Sequence, residues 1–285
     1  MQLTQKHPRR FSSFTYVYPV VSRRSSGISV GINLTDICNF SCVYCQVLGS
    51  LDETGTNGSA KVDLALLENE LRTVVELVQS GELFEDDWFK QTPLDKRRLN
   101  DIAFSGDGEP TLSPVFGEAV KTVAKVRNEL CNPQTKLVLI TNATAFHVKQ
   151  VAQAVESLME NGGEIWAKLD AGNEEQYKKV SRSRVPFSKI IENITETAKR
   201  FPIVLQTLFC SMNGNEPTEA ELQSYFERLR TICEQGGQIK KVQIYTVARN
   251  TPDPTVLPLS VEKMQAIAER IRRETNLEVE SYYSR

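Results

Sequence analysis

Residues 27–45 read Gly-Ile-Ser-Val-Gly-Ile-Asn-Leu-Thr-Asp-Ile-Cys-Asn-Phe-Ser-Cys-Val-Tyr-Cys, an apolar strand pattern that leads into three cysteines, Cys38, Cys42 and Cys45. Thiolates are soft ligands that select zinc, cuprous copper or iron–sulfur clusters. The other cysteines are scattered, at Cys131, Cys210 and Cys233. A structural zinc site uses four closed ligands, whereas this run supplies three. The run therefore favours a [4Fe–4S] cluster with one open iron, and a zinc site completed by a distant residue is the alternative.

The composition is that of an ordinary globular chain. Of 285 residues, 40% are hydrophobic and 25% are charged, which is enough to bury a large core. The net charge of −2 gives no general basic field, so we expect no strong general nucleic-acid binding. We see no apolar run typical of a secretory signal or a membrane span. Unpaired cysteines in such a chain predict a cytoplasmic protein without a membrane partner.

Short apolar runs alternate with amphipathic helical patterns along the chain. The predicted strands are 27–34, 101–106, 136–143, 164–171, 203–210 and 241–248. The predicted helices are 62–80, 115–130, 146–160, 187–200, 218–234 and 260–274. Six β/α units predict a parallel sheet with right-handed crossovers, either doubly wound or curled into a barrel. No linker divides the chain, so we expect one domain over 1–285 with a core at about 27–275.

Strand parity decides between these two α/β arrangements. Alternate side chains of a strand share a face, which places Lys168 with Asp170, Gln206 with Cys210, and Gln243 with Tyr245. Burying such groups in a filled core is costly unless they are paired or solvated. Polar residues near the carboxyl ends of strands are typical of an α/β barrel lumen. The fold class is therefore predicted as a partial (β/α)6 TIM-like barrel, with simple pairing of Lys168 and Asp170 as the alternative.

A glycine segment follows the second predicted strand. It reads Ser105-Gly106-Asp107-Gly108-Glu109, and glycines there let the backbone approach a ligand closely and adopt unusual φ values. By itself this would be an ordinary turn. Thr141 and Asn142 close the third predicted strand, and Tyr44 precedes the last cysteine of the run.

Together these features resemble the radical S-adenosylmethionine (SAM) superfamily. The resemblance implies that Cys38, Cys42 and Cys45 bind a [4Fe–4S] cluster and that SAM takes the open iron. It also implies that the glycine segment holds the SAM amino group and that Tyr44 lies beside the adenine. The implied cofactor-binding residues are Tyr44, Ser105, Gly106, Asp107, Gly108, Glu109, Asn142, Asp170 and Gln206.

Within this superfamily the chain resembles a bacterial and archaeal group of Fe–S oxidoreductases, distantly similar to the wyosine tRNA-modifying enzymes. The segments that match are Pro19–Arg24, Gly31–Leu34, Leu169–Gly172, Gln206-Thr207 and Tyr245–Arg249. The wyosine enzymes carry a second cysteine set upstream, but this chain has no cysteine before Cys38. We therefore expect no auxiliary cluster. The resemblance to the wyosine enzymes does not assign a particular substrate to this chain.

The implied activity is reductive cleavage of SAM to a 5′-deoxyadenosyl radical, which abstracts hydrogen from a substrate. The implied partner is an electron donor of the flavodoxin or ferredoxin type. The substrate could be a tRNA nucleoside, a peptide or a metabolite. An iron–sulfur electron-transfer or sensing module without SAM chemistry is the alternative.

Three residues are candidates for a part in catalysis: Cys210, Asp170 and Lys168. Cys210 has the parity of Gln206, so its thiol is predicted to face the lumen, where it could return hydrogen to a substrate radical. In the alternative, the strand ends early and Cys210 is a buried structural thiol, as free cysteines often are.

Overall fold

The computed structural model describes residues 11, 13–22, 24, 26–46, 62–249 and 251–283. The chain groups into two compact units. The first comprises Met1–Cys38, Asp52–Ile140 and His147–Glu164, and the second comprises Asn39–Leu51, Thr141–Phe146 and Ile165–Arg285. The expectation of one domain stays a prediction.

The first unit opens with an antiparallel strand pair and continues with alternating helices and parallel strands. Its elements are β1 (Val17–Ser22), β2 (Gly27–Ile32), α1 (Leu64–Ser80), β3 (Leu99–Phe104), α2 (Phe116–Leu130), β4 (Lys136–Thr141, whose last residue groups with the second unit) and α3 (Lys149–Glu160). Strand β2 pairs antiparallel with β1 and parallel with β3, and β3 pairs parallel with β4. Short 3-10 helices lie at Glu82–Glu85, Leu94–Lys96 and Pro110–Leu112. Helix α2 packs against both α1 and α3.

The second unit holds most of the remaining elements. They are β5 (Gly163–Lys168, whose first two residues group with the first unit), α4 (Glu174–Val180), α5 (Phe187–Arg200), β6 (Ile203–Leu208), β7 (Cys210–Met212), α6 (Glu219–Glu234), β8 (Ile239–Tyr245), β9 (Val256–Pro258), α7 (Val261–Thr275) and β10 (Val279–Tyr282). Strands β5, β6, β8 and β10 pair in that order, all parallel. Strands β7 and β9 form a separate antiparallel pair.

Local sequence signals set the helix ends. The Asp63 side chain accepts hydrogen bonds from the first turn of α1, and Gly81 follows that helix with a left-handed φ of 89°. Thr218 and Glu221 form a capping box at the start of α6. The Ser260 side chain accepts a hydrogen bond from the Lys263 N–H at the start of α7. These caps satisfy backbone groups that helix ends leave unpaired.

All six predicted strands are present, but each ends two or three residues before its predicted end. Just beyond these ends, polar side chains accept hydrogen bonds from backbone N–H groups. Asn33 accepts from Asp107, Asn142 accepts from Thr144, and Asp170 accepts from Leu208. Side chains therefore add hydrogen bonds at the loops that carry the predicted site residues.

Strand β1, which the sequence analysis did not predict, is held by a buried carboxylate. Glu70 of α1 is 3% exposed and accepts hydrogen bonds from the N–H groups of Thr15, Tyr16 and Val17 at 2.7, 2.8 and 3.2 Å. Among the described residues, no helix has the length and apolar character needed to cross a membrane.

Candidate cofactor and substrate site

The cysteine run is anchored by the segment that follows α4. The Ser41 N–H donates to the Ser181 carbonyl at 3.0 Å, and the Val43 N–H donates to the Val180 carbonyl at 2.9 Å. The Ser183 hydroxyl donates to the Asn39 carbonyl at 2.8 Å. These bonds fix the backbone of the run at three consecutive odd-numbered positions. Of the three cysteines, Cys42 lies between two of these anchored positions.

A closed ring of side-chain hydrogen bonds fixes Asn39, the residue after Cys38. The Asn39 amide donates to the Thr144 hydroxyl at 2.9 Å, that hydroxyl donates to the Asn142 oxygen at 2.8 Å, and the Asn142 amide donates back to the Asn39 oxygen at 2.8 Å. Asn142, a predicted SAM ligand, is thus largely committed to the protein. Its role toward SAM stays a prediction.

The Asn39 ring is supported from helix α5. Ala143, which stands between Asn142 and Thr144, has a left-handed φ of 61°. The amide of Asn193, 3% exposed, donates to the carbonyls of Ala143 and Thr144 at 2.8 and 3.0 Å. Asn39 and Asn193 are contributors that our sequence reasoning missed. An asparagine inside the cysteine run was a usable signal for Asn39, but no local signal marks Asn193.

The predicted glycine segment packs against residues 33–37 of the same unit. Gly106 has a φ of 146°, and a Cβ there would lie 2.3 Å from the Asn33 side-chain oxygen. A Cβ on Gly108 would lie 2.4 Å from the Ile37 carbonyl oxygen, just before Cys38. The Glu109 N–H donates to that same carbonyl at 2.8 Å. Both glycines are therefore required for close packing at the entry to the cysteine run.

The remaining side chains of this segment are bonded within the first unit. Ser105 shares a hydrogen bond of 3.0 Å with the Tyr18 hydroxyl, and Asp107 accepts one of 3.1 Å from the Asn33 amide. Glu109 is 3% exposed and accepts from the Thr111 N–H and hydroxyl at 3.1 and 2.6 Å. Contact of Ser105, Asp107 and Glu109 with SAM stays a prediction.

Asp170 joins three parts of the second unit. One carboxylate oxygen accepts from the Leu208 N–H at 2.8 Å and from the Lys168 ammonium at 2.9 Å. The other accepts a short hydrogen bond from the Tyr44 hydroxyl. Burial, together with the neighbouring Asp170 charge, raises the pKa of Tyr44 well above its usual range, so the phenol stays protonated. Tyr44 of the cysteine run is thereby tied to the ends of β5 and β6.

Lys168 lies between two aromatic rings and one carboxylate. Its ammonium donates a short hydrogen bond to the Tyr245 hydroxyl, and its Nζ lies 5.1 Å from the centre of the Tyr44 ring and 4.6 Å from that of Tyr245. Burial lowers the pKa of Lys168, but the nearby Asp170 and Tyr245 raise it by more, so the net shift is upward. Lys168 is therefore a fixed cation, and the pairing with Asp170 that the sequence analysis left open is present.

One row of polar side chains crosses the second unit. The polar row consists of Lys168, Gln206, Gln243 and Glu280, which are register partners on neighbouring strands β5, β6, β8 and β10. The strand parity that placed Lys168, Gln206 and Gln243 on one face is confirmed. Glu280 was missed because β10 was not predicted.

The structure bears out the alternative given for Cys210, in which the predicted strand ends early and the thiol is buried. A part for Cys210 in catalysis stays a prediction. Strand β6 ends at Leu208, and Cys210 begins β7, so the alternation from Gln206 does not extend to it. Cys210 is 5% exposed and packs with Val43, Val180, Leu208 and other apolar residues. Burial raises the pKa of its thiol to about 12. The Asp170 and Lys168 charges also act on this thiol, so Cys210 lies near the site residues even though the strand does not carry it there.

A cavity of about 560 Å³ opens beside Asp170 and Cys210. Its walls combine apolar side chains, such as Val180 and Leu208, with polar ones from α4 and from the turn before α6. It is large enough for a small organic molecule.

The cysteine run fits a [4Fe–4S] cluster in its donor chemistry. Cys38, Cys42 and Cys45 form no disulfide and are partly exposed, as accessible ligands must be. The backbone contact at Gly108 fixes the approach to Cys38. Within the part of the chain that the structure describes, no three His, Cys, Asp or Glu side chains converge as a metal ion would require. The ligand assignment therefore stays a prediction.

These features define an α/β protein with a cysteine run after a parallel strand. The family model of the radical SAM superfamily matches residues 32–229, more than half of the chain. The chain belongs to the radical SAM superfamily of enzymes, whose members use a [4Fe–4S] cluster and SAM. The predicted fold class, an α/β partial barrel, and the similarity to this superfamily are confirmed.

Two curated proteins and one solved structure illustrate the similarity. GTPase Obg of Brachyspira hyodysenteriae is 23% identical over 266 residues, covering 92% of this chain and 34% of that protein. UPF0026 protein slr1464 of Synechocystis is 27% identical over 174 residues, covering 60% of this chain and 54% of that protein. The chain thus spans about a third and about half of their lengths.

The solved structure is that of TYW1 with a lysine-pyruvate adduct bound. It has a TM-score of 0.59 and 12% identity to this chain, covering 88% of this chain and 74% of that one. At this identity the likeness shows the fold. It agrees with the predicted resemblance to the wyosine enzymes at that level.

Proposed function

We propose that this protein is a radical SAM enzyme that reductively cleaves SAM and abstracts hydrogen from a substrate held beside Asp170. The observation that carries the proposal is the backbone anchoring of the cysteine run, at Ser41 and Val43, inside the region that matches the family. A loop with three thiols supplies three thiolate ligands, which leaves one iron of a [4Fe–4S] cluster open.

When bound, the cluster and SAM supply one-electron cleavage of SAM to methionine and a 5′-deoxyadenosyl radical that can abstract hydrogen. The protein supplies binding, orientation and electrostatics. Cys38, Cys42 and Cys45 would hold the cluster. The segment Ser105–Glu109 offers backbone groups close to the entry of the run, in keeping with its expected contact with the SAM amino group.

The second unit supplies a charged and polar wall. Asp170 keeps Tyr44 and Lys168 in place, and the 560 Å³ cavity beside it is the substrate chamber in this proposal. The TYW1 structure has a lysine-pyruvate adduct bound. Lys168 is instead paired as an ammonium with Asp170, and an ammonium has no lone pair for such a bond, so we give it an electrostatic role.

The test is an anaerobic assay with SAM and a one-electron reductant. The reconstituted protein should release 5′-deoxyadenosine and methionine in equal amounts, and the Cys42→Ala variant should release neither. Cys131→Ala is the matched control, because it removes a half-buried thiol outside the run and should leave the yield unchanged. A protein with full iron content and no SAM cleavage would instead support the electron-transfer module.

A further inference from the structure

The polar row has a fixed direction of hydrogen bonding. The Gln243 amide donates to a Glu280 carboxylate oxygen at 3.0 Å, and the Gln206 amide donates to the Gln243 oxygen at 3.0 Å. An ionised carboxylate can only accept hydrogen bonds. Glu280 therefore obliges Gln243 to direct its nitrogen toward β10 and its oxygen toward Gln206. Gln206 must in turn direct its nitrogen toward Gln243.

Glu280 is well held as an ionised carboxylate. The Lys241 ammonium donates to it at 2.7 Å and the Tyr282 hydroxyl at 2.8 Å. Although burial raises the pKa of Glu280, these hydrogen bonds and that from Gln243 lower it by more. The beginning of the row is thus an acceptor at neutral pH.

The opposite amide orientation at Gln206 is disfavoured. Turning that amide over would bring its oxygen to within about 3 Å of the Gln243 oxygen, and two acceptors would then face each other without a proton. Turning both amides would place the Gln243 oxygen against the Glu280 carboxylate. The direction of the row is therefore set at its β10 end.

This direction of hydrogen bonding leaves one acceptor without a donor at the β6 end of the row. The side-chain oxygen of Gln206 is completely buried and has no hydrogen-bond partner among the described residues. A buried acceptor without a donor is unfavourable. The next member of the row is Lys168, the register partner of Gln206 on β5.

Among the described residues, Lys168 uses two of its three donors. An ammonium carries three N–H donors. Lys168 donates to Asp170 and to the Tyr245 hydroxyl, which accounts for two of them. The third N–H of Lys168 and the unsatisfied oxygen of Gln206 stand at adjacent positions of one row, so each lacks what the other provides.

We propose that Glu280 is a positioning residue for Lys168. Acting through Gln243 and Gln206, it turns a buried carbonyl oxygen toward the Lys168 ammonium and so keeps that cation in place on Asp170. Gln243 and Glu280 both lie outside residues 32–229, the part that matches the superfamily model. The part of the polar row that sets its direction thus lies on the C-terminal strands β8 and β10.

The groups that face Lys168 come from several elements. Asp170 follows its own strand, Tyr44 comes from the cysteine run, Tyr245 from β8, and Cys210 from β7. The hydrogen bonds from Glu280 to Gln243 and on to Gln206 lead toward Lys168. A change at Glu280 would therefore act on Lys168 through the row.

The experiment measures the reactivity of the Lys168 amine. Full-length protein, reconstituted anaerobically with its cluster but without SAM, is treated with formaldehyde and a borane reductant at about pH 8. Dimethylation of Lys168 is quantified by peptide mass spectrometry against exposed Lys149. Only a neutral amine reacts, so slow labelling reports a held ammonium.

The Glu280→Gln variant should label Lys168 about tenfold faster than the wild type, because the amides can then turn and present an N–H to the ammonium. Glu278→Gln is the matched control. It removes the same charge from an exposed position two residues earlier and should leave labelling unchanged. Adding Gln206→Glu to Glu280→Gln should restore slow labelling, because a carboxylate at 206 can only accept.

Unchanged labelling in folded Glu280→Gln would overturn the proposal, as would an equal rise in Glu278→Gln. If Glu280→Gln does not fold, Gln206→Leu removes the acceptor directly, and unchanged labelling there would overturn it. The inference rests on the proposed function only in treating Lys168 and Asp170 as site residues. Because labelling is read without SAM, a chain that fails to cleave SAM can still confirm the row.

Discussion

Removing the carboxylate of Asp170 tests the arrangement of the second unit most severely. The side chain of Asp170 is 1% exposed and that of Lys168 is 14% exposed, so the pair is withdrawn from water. Removing one partner of a buried pair leaves an uncompensated charge and costs about 3–5 kcal/mol. Asp170→Ala also removes the acceptor for Leu208 and Tyr44. We expect a loss of about 4 kcal/mol in the free energy of unfolding.

The assay is urea unfolding followed by tryptophan fluorescence, in a double-mutant cycle with Lys168→Met. If the cost comes from the uncompensated charge of Lys168, adding Lys168→Met to Asp170→Ala should recover about 2 kcal/mol of the free energy of unfolding. The pKa of Lys168 is raised, so the stabilisation is fully present below the ordinary lysine range and is lost only as pH rises above it. The wild-type advantage should therefore be constant between about pH 6 and 9.

A loss below about 1 kcal/mol for Asp170→Ala would refute this reasoning, because that is the size expected of a solvated pair. Strict additivity of the two substitutions would refute it as well. Either result would mean that Lys168 finds another partner or reaches water at no cost.

Three further predictions follow from single contacts. Gly108→Ala should lower stability by about 1–3 kcal/mol and reduce iron loading, because its Cβ would lie 2.4 Å from the Ile37 carbonyl oxygen. Gly117→Ala, in α2, is the control and should be neutral or stabilising in thermal unfolding, because its Cβ would lie 3.6 Å from its nearest neighbour. Equal iron loss in both variants would contradict this prediction. Cys210 should resist iodoacetamide at about pH 8 in the folded apoprotein while the cysteine run reacts. Raising the thiol pKa from 9.0 to about 12 lowers its thiolate fraction about a thousandfold. Equal alkylation rates would show that the thiol is exposed. Glu70→Leu should cost about 2–4 kcal/mol in urea unfolding, because it leaves three backbone N–H groups without an acceptor, and a cost under about 1 kcal/mol would contradict that role.

The alternation of strands and helices was readable from the sequence because each strand is a near-continuous apolar run. Strand parity also placed Lys168 and Gln206 on one face correctly, since side-chain direction is a local property of a strand. The strand ends were not readable. They depend on side chains such as Asp170, which accepts from the Leu208 N–H across 38 residues of sequence.

The same limit applies to the candidate site. The ligand type and spacing of the cysteine run predict a cluster site from the sequence alone. Asn193 and Glu280 act through partners 49 and 37 residues away, at Thr144 and Gln243, so nothing near them in the sequence marks their role. The predicted direction of the Cys210 side chain had a different weakness. A parity rule was extended past Leu208, where the strand had already ended.

The most direct measurement is the low-temperature electron paramagnetic resonance spectrum of the reduced protein, recorded with and without SAM. The central claim is that Cys38, Cys42 and Cys45 hold one [4Fe–4S] cluster whose fourth iron is open to SAM. It predicts about four irons per chain, a signal whose shape changes when SAM is added, and loss of that signal in Cys38→Ala, Cys42→Ala and Cys45→Ala. A cluster signal that SAM leaves unchanged, or full iron content in the triple variant, would contradict the claim.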